Sequence, residues 1–263
     1  MSLLPRDSLL EGSRRRQALR PLLEAAETAL RTWEPQWTPL LEPALREEAQ
    51  QRLGNLSELV LESWGGHPGA ERRRLLLQRS EVAQPRESLD ASLLGLEISG
   101  NFLFDPAEAA DLRAALAAAG AEEGDLGDLW VRGDRGGQGL LDASLARRLD
   151  GGEGLVRSVP VRFEARPIAE LQLPALRLPR RLQSVEASLR LDAVASAGFG
   201  LSRSRMAERI RQGAVRIDWQ VVTSPSREVA VGERVQLEGK GELTLESVQA
   251  TQRGRWRVEL SRH

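Results

Sequence analysis

The arginines of one short helix near the C-terminus are the side chains best suited to binding a charged partner. The sequence predicts this helix over residues 203–212, because Ser202 favours the N-cap position and a glycine follows the last turn. On a helical wheel, Arg205 and Arg209 lie opposite the apolar side. Guanidinium groups bind phosphate oxygens through charge-assisted hydrogen bonds, so this face predicts contact with nucleic acid.

Basic charge is concentrated in the same part of the chain. Residues 176–263 carry 16 Arg or Lys against 10 Asp or Glu, a net charge of +6. Residues 1–70 carry 8 against 10 and residues 71–175 carry 13 against 18, so the whole chain has a net charge of -1. This asymmetry favours an acidic partner for the C-terminal part, although a solvated basic surface without a partner would account for it equally well.

The composition excludes several kinds of site. The chain has no cysteine and only two histidines, His67 and His263, which excludes disulfides, thiolate zinc sites and histidine-rich metal sites. We therefore expect no metal and no cofactor. The N-terminus lacks the apolar core of a signal peptide, and no run approaches the roughly 18 apolar residues of a membrane span. We expect a cytoplasmic protein.

The predicted helix belongs to a small module of helices and strands. A shorter apolar helix precedes it and is ended by Gly198 and Gly200. Alternating residues predict strands at residues 215–217, 221–222, 229–231 and 235–237. In the tail, other residues alternate with Arg253, Arg255 and Arg257. That pattern predicts a last strand with one basic face, which is either an accessory contact or a solvated edge.

Two further domains are predicted upstream. Residues 1–70 are predicted to be helical, with one amphipathic helix over residues 13–32 and another that starts at Pro39 or Pro43 and ends at Leu53. Residues 71–178 follow the order strand, helix, strand, strand, helix, strand, which is typical of ferredoxin-like and RRM-like folds. Its third strand, QGLL, lacks the aromatic residues that stack on bases, so RNA binding is not predicted on this sheet. Residues 167–179 are predicted to be a short ordered linker.

A basic triplet follows a glycine-rich turn near residue 70. Arg72, Arg73 and Arg74 could reach phosphate, or could mark the charged start of a strand on a solvated edge. His67, in the same turn, is interpreted as a loop residue, because the sequence places no nucleophile or acid–base partner near it.

Several short motifs follow one another within residues 188–240. They are RLD at 190–192, LSRS at 201–204, IRQG at 210–213, VRI at 215–217 and VGERV at 231–235. In this order they resemble the S4 RNA-binding domain. With GGHPGAERRRLLL at 65–77, EEGDLGDLWV at 122–131 and SLRLDAVASAGFGLSRSR at 188–205, the chain is similar to YlmH-type S4-domain proteins, in particular to their photosystem II S4-domain branch.

The resemblance implies an α+β protein with a helical N-terminal domain over residues 1–70, an RRM-like domain over residues 71–178 and an S4 domain with a C-terminal strand extension over residues 182–263. It implies a monomeric, non-enzymatic protein that binds structured RNA, either ribosomal RNA or ribosome-bound tRNA, in translation or a ribosome-associated process. No DNA partner is expected. A link to photosystem II is implied only by the name of the branch.

The resemblance also implies which residues bind RNA. They are Arg190, Ser202, Arg203, Ser204, Arg205, Arg209, Arg211 and Arg216. The arginines would hold phosphates, and the hydroxyls and the helix N-terminus would bond backbone oxygens. Asp218 stands where family members often have asparagine, and Glu242 where a basic residue is common. Because an acid weakens a phosphate contact, we expect the contact on the second helix and its N-terminus.

Two other functions are weighed against RNA binding. S4 modules are often joined to RNA-modifying enzymes, and residues 190–192 look superficially like the catalytic RLD of pseudouridine synthases, but here they belong to the first helix of the module. A methyltransferase would need a glycine-rich loop between a strand and a helix, a context that GGEG at 151–154 lacks. The other alternative is a protein-interaction scaffold with a degenerate S4 domain and the acidic middle domain as its docking surface.

Overall fold

A computed structural model describes residues 4–13, 15–88, 93–175, 180–237 and 240–262. Helices and strands alternate along this described chain, so the predicted α+β class is confirmed. The chain forms two compact units, which we call unit one (Met1–Leu176) and unit two (Arg177–His263). No helix among the described residues is long and apolar enough to cross a membrane.

The first part of unit one packs helices against a three-stranded antiparallel sheet. Its elements are α1 (Arg6–Leu10), α2 (Arg16–Thr32), β1 (Gln36–Trp37), α3 (Pro43–Leu53), β2 (Leu59–Trp64) and β3 (Arg74–Arg79). Strand β3 lies between β1 and β2, and its leucines share one buried core with the apolar stripe of α2. Because that stripe recurs every three or four residues, one face of α2 covers the sheet.

This sheet corrects two predictions. The description of the first domain as helical is wrong, because β2 and β3 pair over their whole lengths. The sequence also predicts β3 as part of the domain that begins at residue 71, yet β3 pairs with β1 and β2. Since Leu75 and Leu77 are buried in the core of the first domain, we propose that this domain extends through β3.

The second part of unit one is a five-stranded antiparallel sheet with two helices on one face. Its elements are β4 (Leu93–Ser99), α4 (Ala109–Ala118), β5 (Leu126–Val131), β6 (Gly136–Asp142), α5 (Ala143–Leu149), β7 (Glu153–Val156) and β8 (Val159–Arg166). The strand order is β5-β6-β4-β8-β7, and both helices contribute leucines to one core. The elements follow the predicted order, except that the last strand is a hairpin that turns at Arg157, where φ is 55°. The likeness to RRM folds stays a prediction.

The other face of this sheet is covered by the chain itself. The backbone N–H of Gln172 donates to Oε1 of Gln138 at 3.0 Å, and Nε1 of Trp130 donates to the carbonyl of Gln172 at 3.1 Å. Leu171 is buried so close to β4 that a Cβ at Gly95 would lie 2.6 Å from its Cδ1. The start of the predicted linker therefore packs on this sheet, while residues 176–179 lie outside the described residues.

Arg72 joins the two parts of unit one. Its Nε donates to the carbonyl of Leu126 at 2.7 Å, and its Nη2 donates to the carbonyl of Glu123 at 2.9 Å. Its Nη1 forms an ion pair with the Glu123 carboxylate at 3.0 Å. The Asp128 carboxylate accepts from the backbone N–H of Arg72 at 2.9 Å. Arg72 therefore fixes the segment that precedes β3 against the start of β5.

Both readings of the basic triplet are wrong. Arg72 and Arg74 are buried, and Arg74 pairs with the Asp142 carboxylate at 2.9 Å. Arg73 donates to the carbonyls of Ala70 and Pro68, so it closes the glycine-rich turn. His67 lies in this turn as predicted and is also buried, and that burial lowers its pKa. The triplet stabilises the fold and offers no free cation for a ligand.

Unit two is a six-stranded antiparallel sheet with two helices on one face. Its elements are β9 (Arg180–Glu186), α6 (Leu191–Phe199), α7 (Arg203–Arg211), β10 (Val215–Ile217), β11 (Gln220–Val221), β12 (Arg234–Leu237), β13 (Gly241–Ala250) and β14 (Trp256–Arg262). The strand order is β11-β10-β12-β13-β14-β9. Apolar residues of α6, α7 and the inner faces of the central strands form its core.

The structure differs from the prediction at two places in unit two. Residues 229–231 are not a strand; Val229 is buried, and this segment pairs only through the isolated bridge between Arg190 and Glu228. Strand β9 is not predicted from the sequence, because its partners in β14 are 70 to 82 residues away along the chain. The predicted last strand of the tail is present as β14, but it begins only at Trp256, so Arg253 and Arg255 lie in the turn before the strand.

Candidate nucleic-acid interface

Helix α7 has the predicted cap and the predicted faces. Oγ of Ser202 accepts a hydrogen bond from the backbone N–H of Arg205 at 3.4 Å, which satisfies one N–H of the first turn. The apolar side of the helix is buried in the core through Met206, Ala207 and Ile210. Gly213, with φ at 77°, ends the helix in the left-handed conformation that favours glycine.

The opposite side of α7 presents arginines without partners. Arg205, Arg209 and Arg211 are exposed, and within the described part of the chain their side chains form no hydrogen bond or ion pair. One acid, Glu208, lies on the same stretch and accepts from Nε2 of Gln212 at 3.4 Å. The free guanidinium groups can therefore bind an anion without first breaking a contact within the protein.

Two other predicted residues, Arg190 and Arg203, are held by a buried acid. Asp192 is 6% exposed. Its Oδ1 accepts from Nε of Arg190 at 3.1 Å and from Nη2 of Arg203 at 3.2 Å, and its Oδ2 accepts from Nη2 of Arg190 at 3.3 Å. The Arg190–Asp192–Arg203 cluster ties the start of α6 to the start of α7.

Asp192 is the functional residue that sequence reasoning missed. Burial would raise its pKa, but hydrogen bonds and charge from Arg190 and Arg203 outweigh burial and lower the pKa below its ordinary value. The only signal in the sequence is its place in the RLD motif, which does not show the contact with Arg203 eleven residues later. Asp192 positions arginines and offers nothing to a phosphate.

Replacing Asp192 by asparagine is expected to lower the free energy of unfolding of unit two by about 1–3 kcal/mol at neutral pH, because two charge-assisted hydrogen-bonding partners are lost. A lowered carboxyl pKa stabilises the fold above the unfolded-state value of about 3.9, and this contribution is lost as the pH falls through the folded-state pKa. The deficit of Asp192→Asn should therefore be full at pH 7 and shrink below about pH 4. Thermal unfolding of both proteins across this range measures it; a deficit independent of pH would contradict the assignment.

The remaining predicted residues do not all meet on one surface. Ser204 is exposed beside the N-cap, with its Oγ 3.3 Å from that of Ser202. Arg216 is exposed on β10, between Val215 and Ile217, which are buried under the helices. Because side chains alternate along a strand, Arg216 lies on the sheet face opposite to α7. The structure therefore separates Arg216 from the arginines of α7.

The two acids that depart from the family pattern have partners within unit two. Asp218 and Trp219 form the two-residue turn between β10 and β11, with φ values of 46° and 67°, and aspartate and asparagine tolerate this conformation best among residues with side chains. The Asp218 carboxylate accepts from the backbone N–H of Arg234 at 3.2 Å. Glu242 accepts from Nε2 of Gln236 at 3.0 Å. Neither acid lies on α7.

Within the described residues, no group of three or more His, Cys, Asp or Glu side chains could hold a metal ion.

Two family models match separate parts of the chain. The model of the YlmH N-terminal domain matches residues 14–82, and the model of the S4 domain matches residues 189–235. The chain joins a YlmH-type N-terminal domain to an S4 domain. The predicted resemblance to YlmH-type S4-domain proteins is thus confirmed, whereas the photosystem II branch stays a prediction.

Two relatives extend these matches. The ribosome-associated protein quality control protein P2 of Bacillus subtilis (strain 168) is 29% identical over 199 residues, which are 75% of this chain and 76% of the relative. Among solved structures, the cell division protein ylmH from Streptococcus pneumoniae is 23% identical, with a TM-score of 0.46, and the alignment covers 58% of this chain and 93% of that one. The S4 match contains α6, α7, β10 and β11, and it ends before β13 and β14.

Proposed function

We propose that this protein binds structured RNA through helix α7 of its S4 domain and acts at the ribosome by binding, without catalysing a reaction. One observation carries the proposal: Arg205, Arg209 and Arg211 are exposed, and their side chains form no hydrogen bond or ion pair within the described residues. Buried or paired arginines serve the fold, whereas free arginines on a well-packed helix are available to phosphates.

The kind of RNA follows from how α7 presents its charge. A rigid helix with arginines on its surface fits the phosphates of a folded RNA, because double-helical RNA is recognised mainly by shape and backbone contacts. The N-terminus of α7, with the exposed Ser204 hydroxyl beside it, adds hydrogen-bond donors for phosphate oxygens. The Arg190–Asp192–Arg203 cluster holds this N-terminus in place, so Arg190 and Arg203 act partly as positioning residues.

The place of action is proposed from the relative in Bacillus subtilis, whose name describes it as ribosome-associated. Ribosomal RNA and ribosome-bound tRNA are both structured RNAs that α7 could bind, and a protein that works there acts in the cytoplasm. A link to photosystem II rests on the resemblance alone and is not needed for this proposal.

The geometry favours binding over the enzymatic alternatives. A catalytic aspartate needs a carboxylate that can reach the substrate, but Asp192 is buried and bonded to two arginines. The glycines of the GGEG segment lead into β7 and do not connect a strand to a helix that could cradle a cofactor. Both observations support a protein that acts without chemistry of its own.

Co-sedimentation with purified ribosomal particles tests the proposal. We expect the full-length protein to pellet with the particles at low salt, and to be released when salt is raised or the RNA is digested with ribonuclease, because the contact is made with phosphates. Failure to pellet at any salt concentration would refute RNA binding at the ribosome. Pelleting that resists ribonuclease would support the scaffold instead, and new modified nucleotides detected by mass spectrometry would show an enzyme.

A further inference from the structure

The hairpin formed by β13 and β14 has a tip whose shape is held by one threonine. Within residues 251–255, the backbone N–H of Thr251 donates to the carbonyl of Arg255 at 2.8 Å, and the N–H of Gly254 donates to the carbonyl of Thr251 at 3.1 Å. Oγ1 of Thr251 also accepts from the N–H of Arg255 at 3.1 Å. The side chains of this tip therefore project from a closed turn of fixed shape.

Three arginines at this hairpin are free. Arg253, Arg255 and Arg257 are exposed, and among the described residues none of their side chains forms a hydrogen bond or ion pair. Glu259, the nearest acid along β14, does not pair with these arginines. Its carboxylate accepts from Nε2 of Gln183 and from Oγ of Ser247, both at 2.9 Å. The hairpin thus carries a second group of unpaired cations, separate from that on α7.

An aromatic ring follows the two arginines of the tip, Arg253 and Arg255, whereas Arg257 alternates onto the opposite face of the sheet. Trp256 is 37% exposed at the start of β14. Side chains alternate along β14, so Trp256 lies on the same face of the sheet as Val258 and Leu260, which pack in the core under the helices. Trp256 is on this helix-bearing face but outside the core. Across the sheet it faces Ala250 and Glu186, and the acid makes this position unsuited to a phosphate. The chemistry of the position fits a nucleobase.

Helix α6 lies between the two basic groups. It packs against α7, and it also packs against β9, β13 and β14. Trp256 and α7 are therefore on the same side of the sheet, with α6 separating them. A folded RNA bound to α7 can extend across this side of the sheet to the hairpin. The part of the RNA that reaches the hairpin must present an unpaired base, because a base inside a continuous double helix cannot stack on Trp256.

We propose that the β13–β14 hairpin is a second RNA contact, at which Trp256 stacks on an unpaired base while Arg253 and Arg255, at the tip, hold the neighbouring phosphates. Bases stack on aromatic rings beside basic side chains in proteins that bind single-stranded RNA. The contact lies outside the residues matched by the S4 model. It rests on the proposed RNA binding by α7, since the hairpin adds to that contact.

Ultraviolet cross-linking of the full-length protein to purified ribosomal RNA distinguishes the two contacts. Cleavage after glutamate releases residues 247–259 as one peptide, which contains the whole hairpin tip, and releases α7 in other peptides. We expect cross-linked nucleotides on Trp256 as well as on the α7 peptides. Cross-links on α7 alone would overturn the hairpin proposal and leave the proposed function intact, whereas no cross-link on either would refute the proposed function itself.

Affinity measurements on variants give an independent reading. Trp256→Ala should weaken binding to ribosomal RNA roughly tenfold with an unchanged salt dependence, and Trp256→Phe should retain most of the affinity, because a ring remains to stack. Arg253→Gln with Arg255→Gln should lower the slope of log affinity against log salt by roughly one to two. The matched control, Arg20→Gln with Arg147→Gln, removes two exposed arginines of unit one and should change neither. Equal effects of the hairpin and control variants would overturn the proposal.

Discussion

Reversing the charge of Arg205 and Arg209 together is expected to weaken binding to structured RNA by at least about 100-fold at low salt. Each charge-assisted hydrogen bond to a phosphate contributes about 1.5–3 kcal/mol, and the two glutamates add repulsion. The slope of log affinity against log salt should fall by about two, because binding no longer releases the counterions of two RNA phosphates. Filter binding or fluorescence anisotropy over a series of salt concentrations measures both quantities.

The fold should tolerate this change, which makes the result interpretable. Both side chains are exposed and neither forms a hydrogen bond or ion pair within the described residues, so thermal unfolding should be almost unchanged. A matched control reverses the charge of Arg20 and Arg31, which are exposed on α2 and whose side chains also form no hydrogen bond or ion pair among the described residues. The two variants have the same net charge. If they lost the same affinity, overall charge would explain the binding, and α7 would not be the contact.

Replacing Arg72 by methionine is expected to lower the free energy of unfolding of unit one by about 2–4 kcal/mol. Methionine fills much of the space, but the carbonyls of Leu126 and Glu123 lose their donor in a place that water does not reach freely. The Glu123 carboxylate also loses its ion-pair partner. Urea unfolding followed by tryptophan fluorescence measures the change, since four of the six tryptophans belong to unit one: Trp33, Trp37, Trp64 and Trp130.

The same substitution at an exposed arginine provides the reference. Arg147 is exposed on α5 and its side chain forms no hydrogen bond or ion pair among the described residues, so Arg147→Met should change stability by no more than about 0.5 kcal/mol. RNA binding should survive in folded Arg72→Met protein, because α7 belongs to unit two. A loss of RNA affinity without a loss of stability would show that the triplet binds RNA after all.

Local patterns predicted α7 well because everything that defines it lies within one short stretch. The cap at Ser202, the buried side at Met206 and Ile210, and the stop at Gly213 are properties of neighbouring residues. The order of motifs likewise indicated the S4 domain, which the family comparison confirms. The buried side of α7 could be predicted without knowing which distant residues pack against it.

The features that escaped prediction depend on distant partners. Arg72 looks like a free cation in the sequence, since its partners Leu126 and Glu123 come more than 50 residues later. Strand β3 looks like the start of a new domain, because its pairing with β1 is not visible locally. Arg203 and Arg205 are equivalent in the sequence, but only Arg203 lies against Asp192. Charge alone does not show which arginines are free.

The close approach of Leu171 to Gly95 limits how related sequences can vary. Any side chain at position 95 would collide with Leu171, since its Cβ would lie 2.6 Å from Cδ1 of that leucine. Homologues that keep a large apolar residue at the position of Leu171 should therefore keep glycine at the position of Gly95. Homologues with a smaller residue at the position of Leu171 should tolerate other residues at the position of Gly95. The two positions, 76 residues apart in sequence, should change together through evolution.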